Sequence, residues 1–262
     1  VTSLSGIVYP ALERSFFLYN DLTYLHKILL IQFPSTKDAL DTILDYTELS
    51  FTKLKYDLIP TLNEITLQIN LNHDDGNIRT QSLNFGSNES GNSTDNDDYE
   101  LDDKTLDQLS SLHGWFSKFS GSAMLQENPV VFSQLLVFYV DYVNNWITNS
   151  MISMSEITEY QSLKVTKIIE SVQNITVPIA IEQLGATAKD EIKSIHRLEN
   201  TKFLINNHLK EIMERFYSGE FYDYETNELI SVIKGVFMES TKRANYIEEI
   251  EMTRNMVEDE DD

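Results

Sequence analysis

Between Leu40 and Ile69 one stripe of residues returns every three or four positions almost without interruption: Leu40, Ile43, Leu44, Thr47, Phe51, Leu54, Leu58, Leu62, Ile65 and Ile69. That spacing keeps one face of an α-helix apolar and is useless to a strand, whose faces alternate every second residue. The same rhythm recurs through most of the chain. With nine Gly and five Pro in 262 residues, there are too few turn formers for the frequent reversals of an all-β fold. The sequence therefore predicts an all-α protein. Long antiparallel helices with apolar stripes imply an elongated rod of stacked antiparallel helical bundles.

A first helix is expected from about Leu4 to Phe33, ended by Pro34, because the residue before a proline disfavours the α region. A second runs from about Thr36 to Leu71, kinked at Pro60. The short link between them makes an N-terminal helical hairpin of residues 1–72. From residue 73 to 103 the composition turns to Asn, Asp, Ser and Gly, which cannot bury enough apolar surface to offset ordering. This segment is expected to be an acidic, disordered loop.

Residues 104–219 read as a central helical bundle. It holds helices at about 104–120, at 129–152 (apolar nearly all round, hence central) and, from a Ser153–Glu156 capping box, at 153–174. A last long helix is expected to open at Pro178 and close near Gly219. Residues 220–257 form a C-terminal helical pair, and 258–262 an acidic tail.

The charge excludes whole classes of function. At −22 the chain cannot displace counterions from phosphates, so no nucleic acid is expected as partner. An anionic membrane surface is disfavoured for the same reason, and basic protein surfaces are favoured. No apolar run reaches the roughly 18 residues of a membrane span, so no direct membrane insertion is expected. The absence of Cys fits a reducing, cytoplasmic compartment.

No catalytic, cofactor or metal site is expected. The five His are scattered without a paired spacing, and no phosphate loop or nucleophile elbow occurs. The acidic run at Asp95–Asp103 lacks the Gly and Glu that an EF-hand requires. Glu248, Glu249 and Glu251 read as a solvated helix face. Trp115, Phe116, Phe119, Phe132, Phe138, Tyr139, Tyr142 and Trp146 stand at helical spacing and are expected in the core. Met124, Met151, Met154, Met213 and Met238 are expected there as gap fillers. The chain is thus expected not to be an enzyme.

One segment carries a resemblance. Gly219-Glu220-Phe221 is followed by Glu228-Leu229-Ile230-Ser231-Val232-Ile233-Lys234-Gly235-Val236-Phe237, then Ser240-Thr241-Lys242-Arg243 and Ile247. An apolar helix ends in an aromatic, makes a Ser/Thr-capped turn and re-enters a helix with an Arg. This resembles the C-terminal end of the Dsl-one and zeste-white-ten family of vesicle-tethering subunits. The first hairpin, the insertion before Trp115 and the apolar fourth helix are similar in order.

The resemblance implies a subunit of a multisubunit tether in Golgi-to-endoplasmic-reticulum retrograde (COPI vesicle) transport. It would be cytoplasmic and peripherally associated with the endoplasmic reticulum membrane. The alternative expectation is a subunit of another helical-rod tether, of exocyst, Golgi or endosomal type, or a kinetochore-type scaffold. The implied partner is an α-solenoid subunit of the Sec-thirty-nine type. Other tether subunits, SNAREs and coatomer would be met through other parts of the complex. The loop at 73–103 holds no Trp, so coatomer binding is not assigned to it. The expected partner-binding residues are Leu229, Ile233, Val236, Phe237 and Arg243. The competing expectation is that Leu229, Ile233 and Phe237 form one stripe that packs inside the chain.

Overall fold

In the computed structural model the described residues are 9–33, 35–69, 71 and 100–260. Every regular element among them is a helix: α1 (Tyr9–Gln32), α2 (Lys37–Asp57), α3 (Ile59–Gln68), α4 (Asp103–Ser120), α5 (Ala123–Gln126), α6 (Pro129–Ile152), α7 (Glu159–Leu184), α8 (Ala188–Glu191), α9 (Lys193–Asn206), α10 (Leu209–Tyr217), α11 (Thr226–Val236) and α12 (Thr241–Glu260). The all-α expectation holds. Most of the expected acidic loop, residues 73–99, lies outside the described residues.

The long stripe of residues 40–69 is split in two. The chain breaks at Leu58 and restarts, so that Pro60 stands in the first turn of α3. There its missing N–H is no loss, whereas inside a continuous helix its ring would press on the carbonyl four residues earlier.

Two further boundaries differ from expectation. The box that opens α7 is Thr158 with Gln161, not Ser153. The Gln161 N–H donates to Thr158 Oγ1 at 3.2 Å, and the Thr158 N–H donates to Gln161 Oε1 at 2.8 Å. Ser153 instead donates its N–H back to Asn149 at the end of α6. Pro178 lies inside α7. Asn174, whose carbonyl loses its helical partner there, is exposed, as is Pro178 itself, so the interruption falls on the outer side of the helix. The long helix expected from Pro178 to Gly219 is therefore the end of α7 followed by α8, α9 and α10. The α9–α10 break falls at Asn207, in extended conformation, and the His208 N–H donates to Glu211 Oε2 at 3.0 Å to open α10.

The chain divides into two compact units. The first comprises residues 1–68 and 111–138, the second 69–110 and 139–262. In the first, Leu54, Leu62, Leu112, Phe116, Leu125, Leu135 and Leu136 are closed off from solvent. Trp115 stacks on Phe119 with centroids 5.5 Å apart, and its indole N–H donates to Thr61 at 3.3 Å. The tryptophan serves the core, as expected.

In the second unit the C-terminal half of α6 is enclosed: Tyr139, Val140, Val143, Ile147 and Met151 have no exposed surface. Val165, Ile168, Ile169 and Val172 of α7 and Ile195, Leu198 and Leu204 of α9 join them. Polar ties set the register of these helices. The Thr148 and Thr201 hydroxyls meet at 3.0 Å, and Tyr224 OH lies 2.6 Å from Thr201 Oγ1 and donates to the Arg197 carbonyl at 3.1 Å. Burial pushes the Tyr224 phenol above its ordinary range. Asn144 donates to Ser194 Oγ at 3.1 Å. The Asp141 carboxyl, raised by burial, is pulled back by hydrogen bonds from Ser194 and so caps the start of α9.

Asp102, expected in the loop, has a structural task. It accepts from the Thr105 N–H at 2.8 Å and the Thr105 hydroxyl at 2.7 Å, which caps α4. Its other contact is Lys164 Nζ at 3.3 Å, on a lysine only 2 % exposed. Burial alone would raise this carboxyl, but the Thr105 and Lys164 interactions outweigh it and hold it at about 2. The folded state therefore binds fewer protons than the unfolded one as pH falls. The contribution of Asp102 is complete above the ordinary carboxylate value of 3.8 and is lost as pH drops through about 2. Asp102→Ala leaves a buried ammonium unpaired and α4 uncapped, and is expected to cost about 3 kcal/mol or more in urea denaturation at pH 7. Its difference from the parent should shrink below pH 3. In the core, Ile168→Ala is expected to cost about 2–5 kcal/mol, whereas Leu49→Ala on the surface should stay within about 0.5 kcal/mol.

Candidate docking surface at the C-terminal helices

The C-terminal helices are built around a turn that spends little apolar surface. Gly219, at φ 77°, takes the left-handed conformation that ends α10. The Glu220 N–H then reaches back to the Arg215 carbonyl at 3.1 Å, as in a Schellman closure. Phe221 and Tyr224 plug the linker into the core. Its polar side is tied to α9: His196 Nδ1 lies 3.1 Å from Asp223 Oδ2, Asn200 donates to the Glu220 carbonyl at 2.9 Å, and His196 stacks on Tyr222.

Helix α11 is positioned from both ends. Glu228 accepts the Glu225 N–H at 3.0 Å and Arg197 Nη2 at 2.7 Å, which anchors its first turn to α9. Near its last turn, the Ile157 N–H donates to the Gly235 carbonyl at 2.8 Å. A Cβ on Gly235 would meet the Met154 carbonyl at 3.1 Å, so glycine there permits the segment before α7 to lie against α11.

Helix α12 is held at several points. Ser240 Oγ accepts the Arg243 N–H at 3.2 Å, so the Ser-capped turn read from the sequence is a true N-cap. The Arg243 guanidinium turns back to the carbonyls of Phe237 and Lys234, closing the open end of α11. Farther on, Arg254 donates to the Phe221 carbonyl at 2.7 Å, Ile250 is fully buried, and Tyr217 hydrogen-bonds Glu249. That acidic partner, with some burial, raises the phenol to about 12.

The five expected contact residues separate into two groups. Leu229 and Ile233 have no exposed surface and pack α11 onto the rest of its unit, as the alternative expectation had it for these two. Val236, Phe237 and Arg243 are half-buried at the α11–α12 corner. Met238, expected as a gap filler, is instead 91 % exposed. It sits in the turn after α11, where helical periodicity no longer says which way a side chain points. Sequence reasoning missed it for that reason.

An open cleft of about 670 Å³ lies beside this corner, lined by Lys234, Ser240, Arg243, Ile247 and Glu248 among others. Its charges are of both signs. Among the described residues no group of His, Asp and Glu is arranged to hold a metal ion, and no helix is long and apolar enough to cross a membrane.

Residues 94–259 match the family model described as "Retrograde transport protein Dsl1 C terminal". The chain is also 29% identical over 119 residues to "Protein transport protein DSL1" of Saccharomyces cerevisiae, a stretch that makes up 45% of this chain and 15% of that protein. No solved structure matches the chain. The family match covers well over half of the sequence and takes in all of α4 to α11, and on that ground the chain belongs to the family of the Dsl1 C-terminal region.

Proposed function

We propose that this chain acts within a subunit of a multisubunit vesicle-tethering complex in Golgi-to-endoplasmic-reticulum retrograde transport, and that it works by docking and not by catalysis. Membership of the Dsl1 C-terminal family is the observation that carries this reading. The docking end is the α11–α12 corner, where Val236, Phe237 and Met238 form a small apolar rim on backbone held by Arg243 and Ser240. A rim fixed in this way loses little conformational entropy on binding. The fitting partner is an α-solenoid subunit of the Sec-thirty-nine type, whose stacked helices offer a concave surface. In this reading the complex is cytoplasmic and attached peripherally to the endoplasmic reticulum membrane.

Co-expression of the chain with such a solenoid subunit, followed by size-exclusion chromatography, tests the proposal. A stable complex is expected, and removal of residues 225–262 should abolish it. An unchanged complex after that deletion would sink the assignment of the docking end. Point changes separate surface from core. Met238→Asp should weaken binding at least tenfold, measured by titration calorimetry, with an unchanged melting temperature. Ile233→Ala should lower stability by about 2–5 kcal/mol while the protein that remains folded binds normally.

A further inference from the structure

The apolar surface of this chain is unevenly placed. Among the described residues, most exposed large apolar side chains lie on the α1–α2 hairpin, and such concentration marks an interaction site. On α1, Phe17, Tyr24 and Ile31 stand seven residues apart, two helical turns each, and so share one face. On α2, Tyr46, Leu49 and Tyr56 follow three- and seven-residue steps. Each of the six is more than half exposed. The α1 stripe extends over about 21 Å, the reach of four helical turns.

The charges beside it limit what can cover it. Asp38, Asp41, Asp45 and Glu48 are all exposed and repeat at three- and four-residue steps, a second stripe about 70° round α2 from the apolar one and bordering it. No ion pair joins them to a described residue. From Asp38 to Thr52 the helix has no Lys or Arg. A second copy would set this acidic stripe against itself in a chain of net charge −22, and an anionic bilayer would meet the same repulsion. The hairpin also lies outside residues 94–259, by which the family is recognised.

We propose that the α1–α2 hairpin is a second docking surface, and that it takes an amphipathic helix of another protein whose apolar stripe is flanked by Lys or Arg. The apolar stripes supply the contact area and the acidic stripe selects the orientation and the partner. This proposal does not depend on the tethering role.

Photocrosslinking in the full-length protein tests it. Benzoylphenylalanine is placed at Tyr24 or at Tyr46, the cells are irradiated, and the cross-linked peptides are identified by mass spectrometry. The expected product is a helical segment of another protein, with apolar residues every three or four positions and at least two Lys or Arg beside them. Asp41→Lys with Asp45→Lys should cut its yield at least tenfold while circular dichroism of the purified protein is unchanged. A cross-link to the same polypeptide, to a second copy, to lipid or to an acidic segment overturns the proposal. So does a yield that charge reversal leaves unmoved, or no cross-link at all.

Discussion

A helix with one broad, unbroken apolar face has to have that face covered, and the C-terminal half of α6 imposes that demand on its unit. Tyr139, Val140, Val143, Ile147 and Met151 share that face, about a third of the cylinder, and none retains exposed surface. Burying five such side chains contributes on the order of 10 kcal/mol before entropy is subtracted. Apolar contact alone would leave the neighbours free to slide along α6. The Thr148–Thr201–Tyr224 chain and the Asn144–Ser194 bond remove that freedom, because a slipped register would strand these groups without partners in the interior.

Much of the fold was legible because it rests on period. The stripes of α2, α4 and α6, the stop before Pro34, the closure at Gly219 and the cap at Ser240 follow from local chemistry. The misread boundaries were settled by tertiary contacts. Ser153 heads a plausible capping box, yet the Ile157 N–H is taken by the Gly235 carbonyl, and the chain starts α7 only after that bond is made. Pro178 looks like a helix start, yet it stands mid-helix on the exposed side of α7. The break at Asn207 has a small cue, the Glu211 three residues after His208. It is weaker than the apolar period running through it.

The candidate site was legible in part for the same reason. Periodicity put Leu229, Ile233 and Phe237 on one stripe, but a stripe alone does not tell a buried face from an exposed one. The structure answers directly: Leu229 and Ile233 have no exposed surface, while on another side of α11 the absence of a side chain at Gly235 lets the Met154–Ile157 segment approach. What stays at the surface is the end of the stripe and the turn beyond it, where period has no predictive value and where Met238 was overlooked.

That corner shows how an exposed apolar rim can be kept in one shape. The end of a helix leaves carbonyls that need donors, and the usual solution is a glycine cap or water. Here Arg243 from the next helix supplies them, and Arg254 does the same for the linker carbonyl of Phe221. Arg243 therefore fixes the backbone at Phe237 and Arg254 the linker at Phe221, while Phe237 stays half-buried and Met238 exposed. Each arginine is drawn from α12, whose only fully buried apolar residue among those with described side chains is Ile250. The polarity of α12 follows from this role: it is attached to the linker before α11 and to the end of α11 through charge-assisted bonds to carbonyls, and so can hold the corner without covering it.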